Sequence, residues 1–217
     1  MSFTNLYSFL ERLQKNNHKD WMDIHRKEYI SVRDFYIDWL EDMNSRLAEI
    51  DEDYFDTPGK KAINRINNNL MFHPNKPIYK DHFGAGLDQR SKQGDFYIEL
   101  GVDDSNIGGG YWHPSGAILK SIRDAIDYNG EELLAIIEKK SFTTMFGDLI
   151  EGNRLKTAPK RFSQDHVHID LLRRKTFAVS CSLQREEVIA KDYKEKVIEI
   201  YKEMLPFRRY LNTAISV

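Results

Sequence analysis

Residues 65–87 read RINNNLMFHPNKPIYKDHFGAGL, which sets Arg65, Lys76 and Lys80 beside His73, His82 and the run Asn67-Asn68-Asn69, with Pro and Gly as punctuation. Guanidinium and ammonium groups are the side chains that bind phosphate or carboxylate, and imidazole exchanges protons near neutral pH. His82 is therefore the candidate proton-transfer group. Lys80 and His82 flank Asp81, and in a strand that spacing puts both on one face. Further along, Lys120 and Arg123 sit three apart on one face of a predicted helix. Lys156, Lys160 and Arg161 occur in an irregular stretch. A fold that gathers these segments makes a cationic pocket for a small anion, in which Arg65, Lys80 and Arg123 bind the charge and Lys76 and Lys160 assist.

Other residue groups have weaker chemistry. GGGYWHPSG at 108–116 precedes a helix and so presents backbone donors suited to an anion. Its spacing matches neither the dinucleotide fingerprint nor the phosphate-binding loop of nucleotide hydrolases, and a bulged strand is the better account of the glycines. His166 and His168, with His113, raise the possibility of a metal, but the pairs lack the spacing of a helix-borne zinc motif. Cys181 falls in a predicted buried strand, where thiols are inert. The three asparagines suit turns and caps, or else amide contacts to a substrate. No motif specifies a cofactor, a reaction or an oligomeric state.

The elements that must position these groups follow from periodicity. Phe3, Leu6, Phe9, Leu10 and Leu13 keep helical spacing behind Ser2 or Thr4, and Asn16-Asn17 ends the pattern. Trp21, Ile24, Tyr29, Val32, Phe35, Tyr36, Trp39, Leu40, Met43 and Leu47 predict helix over 20–50 with a break near Lys27, its aromatic stripe a core face rather than a ligand cage. Residues 65–87 form an ordered polar loop feeding a strand. Residues 95–102 alternate as a strand, and 107–112 return beside them. A helix starts at Pro114 or Ser115 and stops at Asn129-Gly130; a second spans 131–139. Residues 142–150 fit strand or helix. A short helix from Val167 to Leu172 and a strand at 176–181 follow. Pro206 divides the end into helices at 191–204 and 207–215. This order predicts α+β, with N-terminal helices, a central mainly antiparallel sheet and C-terminal helices in one domain over 1–217.

The bulk composition narrows the function classes. At 217 residues, with 41% apolar and 30% charged residues, the chain can bury a core. Lys+Arg 32 against Asp+Glu 34 gives a net charge of -2, which disfavours nucleic acid as a partner. One cysteine excludes an intramolecular disulfide and fits a cytoplasmic setting. No run of apolar residues spans a bilayer, so no membrane role is expected.

Four blocks carry a family resemblance: NNHKDWMDIHRKEY at 16–29, RINNNLMFHPNKPIYKDHFGAG at 65–86, GGGYWHPSGAILKSIRDAI at 108–126 and LKTAPKRFSQDHVHIDLLRRKTFAVS at 155–180. In order and spacing the chain resembles domain of unknown function 2461, conserved hypothetical proteins of bacteria and fungi. The second block is similar to the family's pattern at Arg65, Ile66, Phe72, Lys76, Tyr79 and Lys80. It departs at Asn68, Asn69, Met71 and His73, where relatives have charged or different residues, so the resemblance implies a divergent member with an altered polar site. The resemblance implies a single domain and no particular activity. The expectation is a small-anion-binding protein, with an enzymatic role open. The alternative is a non-catalytic protein-interaction module using the aromatic, glycine-rich 108–114 region.

Overall fold

The computed structural model describes residues 1–215. Among them, nine helices and four strands come in runs, as in an α+β fold, with helices at both ends and one antiparallel four-stranded sheet whose strands neighbour one another in chain order. The chain divides into two compact units: residues 1–89, 97–107 and 182–198 form the first, and 90–96, 108–181 and 199 onward form the second.

In the first unit, α1 (Phe3–Lys15) starts where the Ser2 hydroxyl accepts from the Asn5 amide. The capped turn satisfies one of the otherwise unpaired first-turn donors. Its apolar stripe of Leu6, Phe9, Leu10 and Leu13 is fully buried. α2 (Lys19–Ile24) and α3 (Arg26–Ala48) are separated at His25, whose ring stacks on Trp21 at 4.0 Å. The break expected near Lys27 is thus real and two residues earlier. The aromatic stripe is core: Tyr36 is buried, and Trp39 stacks on Tyr193 at 5.2 Å. α4 (Gly59–Ala62) is a single turn after Pro58, where the sequence pattern reads only a turn.

β1 (His82–Leu87) and β2 (Phe96–Gly101) bury Phe83, Ala85, Leu87, Ile98 and Leu100. Strand alternation turns His82, Gly84, Tyr97 and Glu99 to the opposite face. β3 (Ser105–Tyr111) returns after a tight turn in which the Gly101 amide donates to the Asp104 carbonyl at 3.0 Å. The glycine run lies within this strand, and Gly110 has φ +101, a conformation that side-chain-bearing residues avoid. A strand irregularity therefore accounts for at least one of the three glycines. α8 (Arg185–Ile189) has a reciprocal cap between Gln184 and Glu187, a Q-x-x-E signal that the sequence reading passes over.

In the second unit, α5 (Gly116–Ile137) starts at Ser115 and is non-helical at Asn129, matching the expected stop there. α6 (Lys140–Phe146) resolves the ambiguous 142–150 stretch as helix up to Phe146. α7 (Ile169–Leu172) and β4 (Phe177–Leu183) follow. Cys181 is half-buried, rather than buried as its strand placement suggests. The closing pair of helices is corrected. α9 (Tyr193–Thr213) is continuous through Pro206. Proline in a helix interior costs roughly 3 kcal/mol. Fully burying Phe207 and Leu211, which extend the Ile200 and Met204 stripe beyond it, returns roughly 1.5–3 kcal/mol each.

Candidate functional site

Four of the six anticipated site residues lie in the first unit. The segments around Arg65 and Lys80 pair: Asn67 bridges Tyr79, and the Lys80 amide donates to the Ile66 carbonyl at 2.8 Å. Asn17 anchors this pairing from outside, accepting from the Tyr79 amide at 2.9 Å and donating to its carbonyl at 2.8 Å. The Lys80 ammonium donates to the Arg65 carbonyl at 2.7 Å, which fixes the amine over the start of the loop. Asn68 closes that loop, its amide nitrogen donating to the Pro77 carbonyl at 2.9 Å. That assigns Asn68 a structural role.

Lys80 is partly withdrawn from water. Burial, then the positive charges of Arg65 and Lys76, lower its pKa below the ordinary lysine value, and the Glu99 carboxylate opposes the shift. Desolvation and like charge both disfavour an ammonium. Arg65, Lys76 and Lys80 therefore form one electrostatic cluster, with Glu99 on its border. The spacing of Lys80 and His82 would put both on one face of a strand, but β1 begins at His82 and leaves Lys80 in the preceding connection.

His82 sits between two carboxylates. Its Nδ1 is 3.4 Å from Asp81 Oδ1, and its Nε2 is 3.7 Å from Glu99 Oε2. The second distance exceeds a hydrogen bond, so that pair is electrostatic. The Tyr97 hydroxyl donates to Glu99 Oε2 at 3.2 Å and accepts from the Asn64 amide at 3.4 Å. Gly84 makes room for this chain, since a Cβ there would stand 2.1 Å from the Tyr97 hydroxyl. The arrangement sets a cationic cluster beside a Tyr97–Glu99 hydrogen bond and the His82–Asp81 pair. Sequence reasoning missed Tyr97 and Glu99. Their signal was spacing: in an alternating strand they share a face, and that face is the one carrying His82.

Arg123 and Lys160 lie in the second unit, on a separate cleft of about 310 Å³ lined also by Lys120, Asp124, Pro159, Arg161 and Phe162. Arg123 Nε and Nη2 donate to the carbonyls of Leu172 and Arg174 at 2.8 and 3.1 Å. These bonds satisfy the end of α7, and burial lowers the Arg123 pKa. Lys120 and Arg161 both pair with Asp124, at 2.7 and 3.3 Å. His166 donates from Nε2 to Asp127 at 2.9 Å, while its Nδ1 accepts from the His168 amide at 3.0 Å. Both ring nitrogens are engaged. Among the described residues no cluster of three or more His, Cys, Asp or Glu is placed to hold a metal, and no helix is long and apolar enough to cross a membrane.

Residues 5–210 match the family described as Conserved hypothetical protein (DUF2461), and the chain belongs to that family. No curated protein and no solved structure matches the chain.

Proposed function

We propose that this DUF2461 protein binds a small phosphate- or carboxylate-bearing ligand at the cationic cluster of its first unit, where Arg65, Lys76 and Lys80 hold the anion. One observation carries the reading. Lys80 and Arg65 are held on one paired segment, the Lys80 ammonium donating to the Arg65 carbonyl at 2.7 Å, where burial and the charges of Arg65 and Lys76 lower the Lys80 pKa against the pull of Glu99. A bound anion would add countercharge that favours the ammonium form. His82, beside Asp81 and Glu99, is the group that would pass a proton to or from such a ligand, which leaves an enzymatic step open to the site. Thermal unfolding against inorganic phosphate tests the reading: stabilisation that saturates in wild type and is lost in Arg65→Ala supports it. Equal stabilisation of both proteins removes it.

A second reading, a non-catalytic interaction module, draws on Trp112, which is 57% exposed and packs edge-on against His113. Large exposed aromatics are common anchors in protein interfaces. Trp112→Ala separates the two readings, because the ligand reading requires phosphate stabilisation to survive that change.

A further inference from the structure

We infer that the second unit holds an anion site of its own, in the cleft lined by Lys120, Arg123, Lys160 and Arg161, and that it takes a phosphate monoester carried on a flat apolar group.

Charge and shape together point there. Four cationic side chains face one carboxylate, Asp124, which is shared by Lys120 and Arg161. Lys160 makes no hydrogen bond or ion pair among the described residues. Arg123 is held from behind by two backbone carbonyls, so the planar guanidinium is oriented before any ligand arrives. Preorganised donors lose less entropy on binding, and Arg is the side chain whose fork matches a phosphoryl group. The remaining wall is apolar: Leu155, Pro159 and Phe162. A cavity of about 310 Å³ is at the lower end of the range for small-molecule sites, enough for a phosphoryl group with one ring.

Backbone geometry adds to this. Arg161 has φ +88, in the left-handed region that a residue with a Cβ enters at a cost. Glycine would hold the same turn without that cost. Arginine at this position is therefore not what the turn alone would select, and its guanidinium lines the cleft. Among the described residues no histidine, cysteine or serine lines the cleft, which suits a binding site rather than a reaction centre.

The test is isothermal titration with phenyl phosphate. It uses wild type, Arg161→Gly, Lys160→Ala, and Arg65→Ala as a control in the other unit. The expected result is saturable binding to wild type that weakens at least fivefold in Arg161→Gly and in Lys160→Ala. Arg161→Gly should melt no lower than wild type, because glycine accepts the turn. Arg65→Ala should keep one class of sites with wild-type affinity for phenyl phosphate, and a first-unit site, if the proposed function holds, shows as a second class of sites that this variant alone loses. The inference is overturned if wild type shows no saturable binding, if both cleft variants bind unchanged, or if Arg65→Ala alone loses all binding.

Discussion

Lys80 and Arg123 are both partly buried cations with lowered pKa values, yet they are held in different ways. Arg123 spends two of its donors on the carbonyls of Leu172 and Arg174, and burial is the only cause of its shift. Lys80 donates to a single carbonyl, that of Arg65, and is pressed by the charges of Arg65 and Lys76 as well as by burial. The difference separates two uses of a cation. Arg123 closes the end of a helix with two of its donors, and that same anchoring fixes the guanidinium where it lines the cleft. Around Lys80 the charges of Arg65 and Lys76 add to the effect of burial, and the proposed ligand would supply countercharge there.

The contrast breaks first at Arg123. Arg123→Ala leaves two carbonyls short of donors at roughly 1–3 kcal/mol each, so a loss of about 2–6 kcal/mol is expected by chemical denaturation. A loss below ~0.5 kcal/mol would erase the distinction. Gly84→Ala acts in the other unit by pushing the Tyr97 hydroxyl off its place, since a Cβ would stand 2.1 Å away. Overpacking of this kind costs about 1–3 kcal/mol, and the variant should show it in its melting temperature.

Arg65→Ala should leave stability within about 0.5 kcal/mol, as expected of an exposed side chain. The same change should weaken phosphate binding about tenfold, equivalent to about 1.4 kcal/mol. The smallest effect is in pH dependence. The folded pKa of Lys80 is below its ordinary 10.5, so between the two values the unfolded chain holds more protons. Stability contributed by this group therefore rises with pH through that window, and below it the protonated amine weighs against the fold. Lys80→Met should flatten the rise, and denaturant midpoints measured across alkaline pH would reveal it.

Much of the fold was legible because burial follows period. The stripe from Val32 to Leu47 and the alternation at 96–100 told helix from strand without help. Pro206 misled because a local rule was outweighed by the burial of Phe207 and Leu211, which only the tertiary structure supplies. In the site, Arg65, Lys76 and Lys80 stood out as cations in an irregular loop. Glu99 and Asp124 did not, since a carboxylate in a strand or helix looks like any solvated one until its neighbours are known. Sequence spacing also could not tell that Arg123 and Lys160 belong to a different unit from Arg65 and His82.

We propose that the two units nonetheless unfold together as one domain, because β2, β3, β4 and α9 each contribute residues to both. A single calorimetric transition with matching van't Hoff enthalpy is expected, and two resolved transitions would refute it.

The central claim is that Lys80 carries charge the fold does not balance. Its side-chain pKa, followed by NMR with and without saturating phosphate, tests that claim most directly. The account predicts a value below that of ordinary lysines in the free protein, which moves upward when phosphate binds. An ordinary value in the free protein, or one that phosphate leaves unmoved, would contradict it.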